Sequence, residues 1–154
     1  MFKDPILLKL YKKHKAPEFK NRSELLFEDL VESIISQQLS LKAANTIYNR
    51  FLLLFNNKGK FPTHDEILNI DTEKLRGAGM SYSKASYIKN IAKAFKEKQI
   101  DIKKINKMSD EDVITELTKI KGIGRWTAEM TLIFTLSRED IFSVGDAGLR
   151  RAIK

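Results

Sequence analysis

The 154-residue sequence has no cysteine, only two histidines, three prolines and a single tryptophan. Without cysteine, a disulfide framework, thiol catalysis, a zinc–thiolate site and a cysteine-held iron–sulfur cluster are all excluded. His14 and His64 are too few and too far apart for a histidine-rich metal site. Long apolar runs are also missing: Phe51–Phe55 is a typical run, far below the ~18 residues a membrane span needs. The opening segment, MFKDPILLKLYKKHK, carries lysines through and after its apolar stretch, which does not fit a signal peptide. A cytoplasmic protein with no membrane partner is therefore expected. Low-complexity tracts, Pro- or Gly-rich linkers and internal repeats are absent as well, so residues 1–154 read as one domain.

The composition is that of a globular chain, 42% hydrophobic and 31% charged. Its net charge of +8 biases its partners towards polyanions but decides nothing about fold. The charge is unevenly placed. Between Lys74 and Lys98 seven basic residues face one acid, Glu97, whereas Glu24–Glu32 holds four acids and no base. Solvated helix faces explain such runs as readily as a nucleic-acid surface does.

Helical periodicity dominates the chain and predicts an all-α protein. Phe27, Leu30, Val31, Ile34 and Gln38 share one face of a helix that starts near Ser23, read as its N-cap. Ala44, Ile47, Tyr48, Phe51 and Phe55 do the same for a helix beginning near Ser40. Thr63-x-x-Glu66 is a capping box, and Asp71 caps a short helix that Gly77 and Gly79 end. Ala85, Ile88, Ala92 and Phe95 are spaced for the next helix, with Lys89, Lys93 and Lys96 on its other side. Ser109-x-x-Asp112 opens a helix carrying Val113, Ile114 and Leu117. A strongly apolar helix follows over 125–137, then an extended link 141–145 and a basic segment 149–154.

The most specific feature lies between the last two long helices, Lys121-Gly-Ile-Gly124 followed by Arg125-Trp-Thr127. Two glycines around one apolar residue make a helix–hairpin–helix turn. Gly122 and Gly124 allow a sharp bend and close approach, Ile123 anchors it, and the N–H groups of the next helix start form an anion site. A DNA phosphate fits there without sequence reading, with Lys121, Arg125 and Thr127 alongside. An ordinary αα turn with a glycine cap has the same letters. A second turn, Gly77-Ala-Gly79 with Ser81 after it, would add another backbone clamp beside the same groove.

The stretches IKGIGRWTAEMTLIF and VGDAGLRRA resemble the helix-hairpin-helix DNA glycosylases, and within them the DNA-3-methyladenine glycosylase II branch. LRGAGMSYSKASYI and IISQQLSLKAANTI match the same branch, so the resemblance runs from about Asp4 to Ala152. It implies a two-lobed helical bundle with the active-site cleft between the lobes. It also implies a monofunctional enzyme of base excision repair, which flips alkylated purines such as 3-methyladenine out of double-stranded DNA and hydrolyses the N-glycosidic bond. A nucleoid-associated or nuclear place follows, and a monomer. The missing cysteines exclude the iron–sulfur branch of the superfamily.

Within that resemblance Asp146 matches the catalytic aspartate, although Gly-Asp-Ala before a helix is also an ordinary N-cap. Trp126 stands where strand-cutting relatives carry a Schiff-base lysine. Its ring face suits a cationic purine, with a core tryptophan as the other reading. Met130, one turn on, is a soft pocket wall or core, and Tyr82 borders the cleft. Gln38, in Ser36-Gln-Gln-Leu-Ser40, matches the side chain that fills the gap left by the flipped base, or it simply closes a helix turn. No cofactor and no catalytic metal are implied; a monovalent cation on hairpin carbonyls is the one ion the resemblance allows. Family members continue for several dozen residues beyond the aspartate motif, so the C-terminal helices are expected to be lacking. That shortfall keeps a non-catalytic binder of bent or damaged DNA as the alternative.

Overall fold

In the computed structural model, residues 4–14, 19–55 and 59–152 are described, and all their regular structure is helical. In order these are α1 (Pro5–Lys13), a 3-10 turn (Ser23–Leu25), α2 (Leu26–Ser36), α3 (Leu41–Leu53), α4 (His64–Asn69), α5 (Thr72–Gly77), α6 (Tyr82–Lys96), α7 (Ile102–Ile105), α8 (Asp110–Thr118), α9 (Arg125–Phe134) and α10 (Ala147–Ala152). None of these helices is long and apolar enough to cross a membrane. The first three residues of the N-terminal segment, and residues 15–18, lie outside the described ones. The segment's middle forms α1, a helix absent from the sequence-based expectations.

α2 is the centre of the molecule. Leu26, Leu30, Val31, Ile34 and Ile35 are fully or almost fully buried along it, and it packs on α3, α6 and α9. α6 packs in addition on α4 and α5, and α8 packs on α9, so α2 joins a group built from α3–α6 to one built from α8–α9. The apolar interior is continuous across the two groups, from Phe51, Ile67 and Leu75 to Val113, Leu117 and Leu132. Burying an aliphatic side chain of this kind is worth about 1.5–3 kcal/mol, which is why the short helices hold their places.

Local capping follows the sequence closely. Ser40, Asp71 and Ser109 each accept a backbone N–H from the helix they start, and Thr63 with Glu66 closes both halves of its capping box. Ser23 does not cap. Its hydroxyl accepts from Asn106 Nδ2 at 2.8 Å, a tie to a residue just after α7. Gln38 lies beyond the end of α2 rather than on its face. α9 stops at Phe134 because Leu136 N–H closes back on the Thr131 carbonyl and Ser137 turns left-handed.

The lysines of α6 are not a free basic stripe. Lys84 Nζ donates to the carbonyls of Ile35 and Gln37 at 2.8 and 2.7 Å, and burial pushes its ammonium pKa down. Lys89 Nζ donates to the Ile70 carbonyl at 2.6 Å. Lys93 pairs with Glu97 and Lys96 with Asp65. Ammonium groups on helix C-terminal carbonyls meet both the orphan acceptors and the negative end of the dipole. Most of this charge therefore holds helices together.

Candidate nucleic-acid interface and active site

The hairpin between α8 and α9 is fixed from below. Ile120 and Ile123 are buried, and the Ile123 N–H closes the turn on the Ile120 carbonyl at 3.0 Å. Gly122 has φ +114, and a Cβ there would lie 2.3–2.8 Å from Tyr87 Cβ, Cγ and Cδ1. Only glycine permits that backbone over that ring. Three residues further along α6, Asn90 Nδ2 donates to the Lys121 carbonyl at 3.0 Å. Gly124 has an ordinary extended backbone, φ −91, with open space where a Cβ would be.

Gly124 is the N-cap of α9 and offers no side-chain acceptor. The first backbone bond of the helix runs from Ala128 N–H to the Gly124 carbonyl. The N–H groups of Arg125, Trp126 and Thr127 therefore have no acceptor among the described residues, at the positive end of the helix dipole. Such a set of donors suits an anion such as a phosphate. Lys121 is exposed beside it, and among the described residues its ammonium has no ion-pair partner.

Several expected contributors sit differently. Arg125 is not free for a phosphate, because its guanidinium forks onto Glu111 (2.6 and 3.1 Å) while its Nε donates to Glu129 at 3.0 Å. The hydrogen bonds to Glu111 are the main reason its pKa is raised. The side chains of Ile123 and Thr127 are buried, and the Ile123 N–H is already taken, so Thr127 can offer only its backbone. Tyr82 does not join Trp126: its hydroxyl donates to Glu73 at 3.0 Å and its ring lies under the Arg76 guanidinium. Ser81 caps α6 through Lys84 N–H. Gly79 keeps φ +109 against Ile47, whereas Gly77 simply ends α5.

Asp146 stands at the start of α10, where its Oδ1 accepts the Leu149 N–H at 2.8 Å. Its Oδ2 accepts the Trp126 indole N–H, also at 2.8 Å, across twenty residues of chain. The Leu149 amide, and after it the indole, hold the carboxyl below the usual carboxylate range, so Asp146 is an anion at neutral pH. The structure thus brings Asp146 and Trp126, both singled out in the sequence, into direct contact. Trp126 is 44% exposed, and the N–H edge of its ring is taken by Asp146.

Met130 borders an open cavity of about 210 Å³ between α2 and α9, shared with Ser33, Ser36 and Thr127. Trp126 and Asp146 are not part of its lining. Its polar wall is internally paired, with Arg22 and Thr135 both donating to Asp29. Gln38 is exposed at the α2–α3 junction in the left-handed region, φ +58, which costs a non-glycine residue on the order of 1 kcal/mol. That junction is tied to the other turns: Lys84 holds the end of α2, and Gln37 Nε2 reaches Thr127 Oγ1 at a long 3.5 Å. The α2–α3 junction, the start of α6 and the start of α9 therefore adjoin one another.

Residues 31–154 match the HhH-GPD superfamily of base excision DNA repair proteins. The chain belongs to that superfamily. It is 44% identical over 129 residues to DNA-3-methyladenine glycosylase 1 of Schizosaccharomyces pombe, covering 83% of this chain and 56% of that protein. The chain thus spans little more than half the length of that relative. Among solved structures, it superimposes on the S. pombe 3-methyladenine DNA glycosylase bound to abasic DNA with a TM-score of 0.86 at 38% identity, covering 98% of this chain and 74% of the other. The DNA-3-methyladenine glycosidase of Bacillus halodurans gives 0.80 at 37% identity, over 96% and 67% of the two chains. The all-helical, helix-hairpin-helix architecture is that of this superfamily.

Two site features carried no sequence signal strong enough to single them out. Glu129 is buried within α9 and Ser143 is fully buried in the following loop, and the two are bonded to each other. A lone acid inside the apolar run RWTAEMTLIF is the cue that marks Glu129. Ser143 has no cue of its own.

Proposed function

We propose that this chain carries the base-removal centre of a monofunctional DNA glycosylase acting, as a monomer on double-stranded DNA, on cationic alkylpurines such as 3-methyladenine. One observation carries the reading: the Asp146 carboxylate, held as an anion, touches Trp126 on the first turn of the helix whose N-terminal amides stand unclaimed. The 3-methyladenine activity for which the S. pombe relatives are named supports the substrate class.

The chemistry follows from those groups. A phosphate settles on the free amides at the start of α9, beside Lys121, and fixes the strand without reading sequence. Gln38 fills the space left by the extruded nucleotide. The ring face of Trp126 takes the flipped cationic base, a contact worth about 0.5–2 kcal/mol. The C1′–N bond then breaks with its electron pair going to the base, which leaves neutral because it began cationic. Positive charge builds on the sugar and the Asp146 anion stabilises it. Water adds at C1′ and passes its proton to solvent by way of the carboxylate. Position 126 offers no amine, so no Schiff base forms and an abasic site is the product. A monovalent cation at the hairpin would rest on its carbonyls, where Ile120 and Lys121 each already accept one bond, and would hold the turn's shape only.

The test is release of 3-methyladenine from methylated duplex DNA, comparing this chain with Asp146→Asn. A loss of about 100-fold or more is expected, and equal release by both overturns the reading. Salt-dependent binding to abasic DNA with no release by the unaltered chain would establish the non-catalytic alternative instead.

A further inference from the structure

We infer that Glu129 and Ser143 are positioning residues for the Asp146 carboxylate, an inference that rests on the role proposed for Asp146. Ser143 is the anchor of the loop between α9 and α10. Its neighbours Phe142 and Val144 are 61% and 74% exposed, whereas Ser143 is fully buried. Its hydroxyl donates to Glu129 Oε2 at 2.5 Å. Its carbonyl accepts the Asp146 N–H at 3.0 Å, closing the four-residue turn that delivers the aspartate.

Glu129 is itself only 9% exposed, and its other oxygen accepts Arg125 Nε at 3.0 Å. A buried carboxylate is an expensive way to fill space in a helix whose neighbouring buried residues include Ala128 and Leu132, since an apolar side chain of similar size would pack there without desolvation. What the carboxylate supplies is direction. α9 grips the loop twice, through Glu129 on the Ser143 hydroxyl and, three residues earlier, through the Trp126 indole on Asp146 Oδ2. One contact fixes the backbone of Asp146 and the other its carboxylate. A displacement of about 1 Å at a reacting group can lower a rate by about 100-fold.

The experiment measures single-turnover release of 3-methyladenine, the Kd for abasic duplex DNA and the emission of Trp126, the only tryptophan in the chain, with Asp146→Asn alongside. Ser143→Ala and Glu129→Met should each lower release by about 10–100-fold with Kd changed less than about threefold, because the hairpin amides are untouched. Trp126 emission should move towards that of Asp146→Asn. Glu129→Gln keeps an oxygen for the Ser143 hydroxyl and should restore release to within a few-fold of the unaltered chain. Release at the unaltered rate by Ser143→Ala and Glu129→Met, while Asp146→Asn is dead, overturns the inference and leaves the proposed function standing. Equal losses in Glu129→Gln and Glu129→Met also overturn it. Undiminished release by Asp146→Asn instead removes the proposed function itself. Far-UV circular dichroism identifies a variant that has unfolded, and the Gln-against-Met comparison at position 129 then decides.

Discussion

The two glycine turns of this protein, Gly77-Ala-Gly79 before α6 and Gly122-Ile-Gly124 before α9, look alike as sequence and differ as sites. Each has one glycine in the left-handed half of φ space, Gly79 at +109 and Gly122 at +114. Each leads into a helix. At the first turn, Ser81 supplies the N-cap oxygen, Arg76 Nη1 donates to the Met80 carbonyl, and Lys84 is turned inward onto the end of α2. At the second, Gly124 occupies the N-cap position and supplies nothing, so the amides behind it are left open. Closing a turn against its own helix stabilises the fold, and leaving it open makes a place for an anion. At the cap itself the difference is one side-chain oxygen, which claims the Lys84 N–H at the first turn and has no counterpart for the Thr127 N–H at the second.

The largest effects should come from the two left-handed glycines. Gly122→Ala places a methyl group against the Cβ and Cγ of Tyr87 in a backbone alanine avoids, and should cost about 2–5 kcal/mol with loss of DNA binding. Gly79→Ala meets Ile47 Cγ1 at 3.1 Å and Cδ1 at 3.3 Å, looser than the contact at Gly122, and should cost about 1–3 kcal/mol. Urea denaturation of both variants ranks them, and a larger loss at Gly79 would break the asymmetry. The caps give the next test. Gly124→Ser fits the extended backbone and open space there, so stability should change by only a few tenths of a kcal/mol. Affinity for abasic duplex should nevertheless fall about tenfold, because the new oxygen claims an amide a phosphate would use. Ser81→Ala should do the reverse, costing about 1 kcal/mol of stability with affinity changed less than about threefold. The opposite pattern, affinity lost at Ser81 and kept at Gly124, would make the first turn the phosphate site.

What could be read from the sequence follows the range of each interaction. The caps at Ser40, Thr63, Asp71 and Ser109 were legible because donor and acceptor lie within three residues of each other. The core face of α6 was legible because helical spacing alone sorts Ala85, Ile88, Ala92 and Phe95 inward. Ser23 has the local setting of a cap, but its partner, Asn106, is 83 residues away and no local pattern shows it. Arg125 is a free cation in the sequence alone, because Glu111, fourteen residues earlier, reaches it only once the hairpin has folded. For the lysines of α6 the sequence leaves a solvated face and a nucleic-acid surface equally open, because nothing local shows which carbonyls Lys84 and Lys89 will find. Of the candidate site, motif spacing placed the hairpin and the likeness to known glycosylases pointed to Asp146. Their meeting through Trp126, and the Glu129–Ser143 pair behind them, are tertiary facts.

The smallest expected effect concerns the acid–base behaviour of the open site. Asp146 is held below the usual carboxylate range first by the Leu149 amide and then by the Trp126 indole, both of which bind the charged form. Its contribution to stability is present above the unfolded-state pKa of about 3.9 and is lost as pH falls through the lower folded value. Trp126→Phe removes the second donor and leaves the first, so the carboxyl should titrate nearer the ordinary value without reaching it. Carbon-detected NMR titration of the Asp146 carboxyl in both proteins measures this directly, and no movement would show that the indole contact does not persist in solution. The matching test at the closed turn is Tyr82→Phe, which frees Glu73 from its hydroxyl donor but leaves the hairpin intact, and should leave the Asp146 titration where it was. Movement of Asp146 in that variant would couple the two turns electrostatically, and the contrast between an open and a closed site would then no longer rest on the cap residues alone.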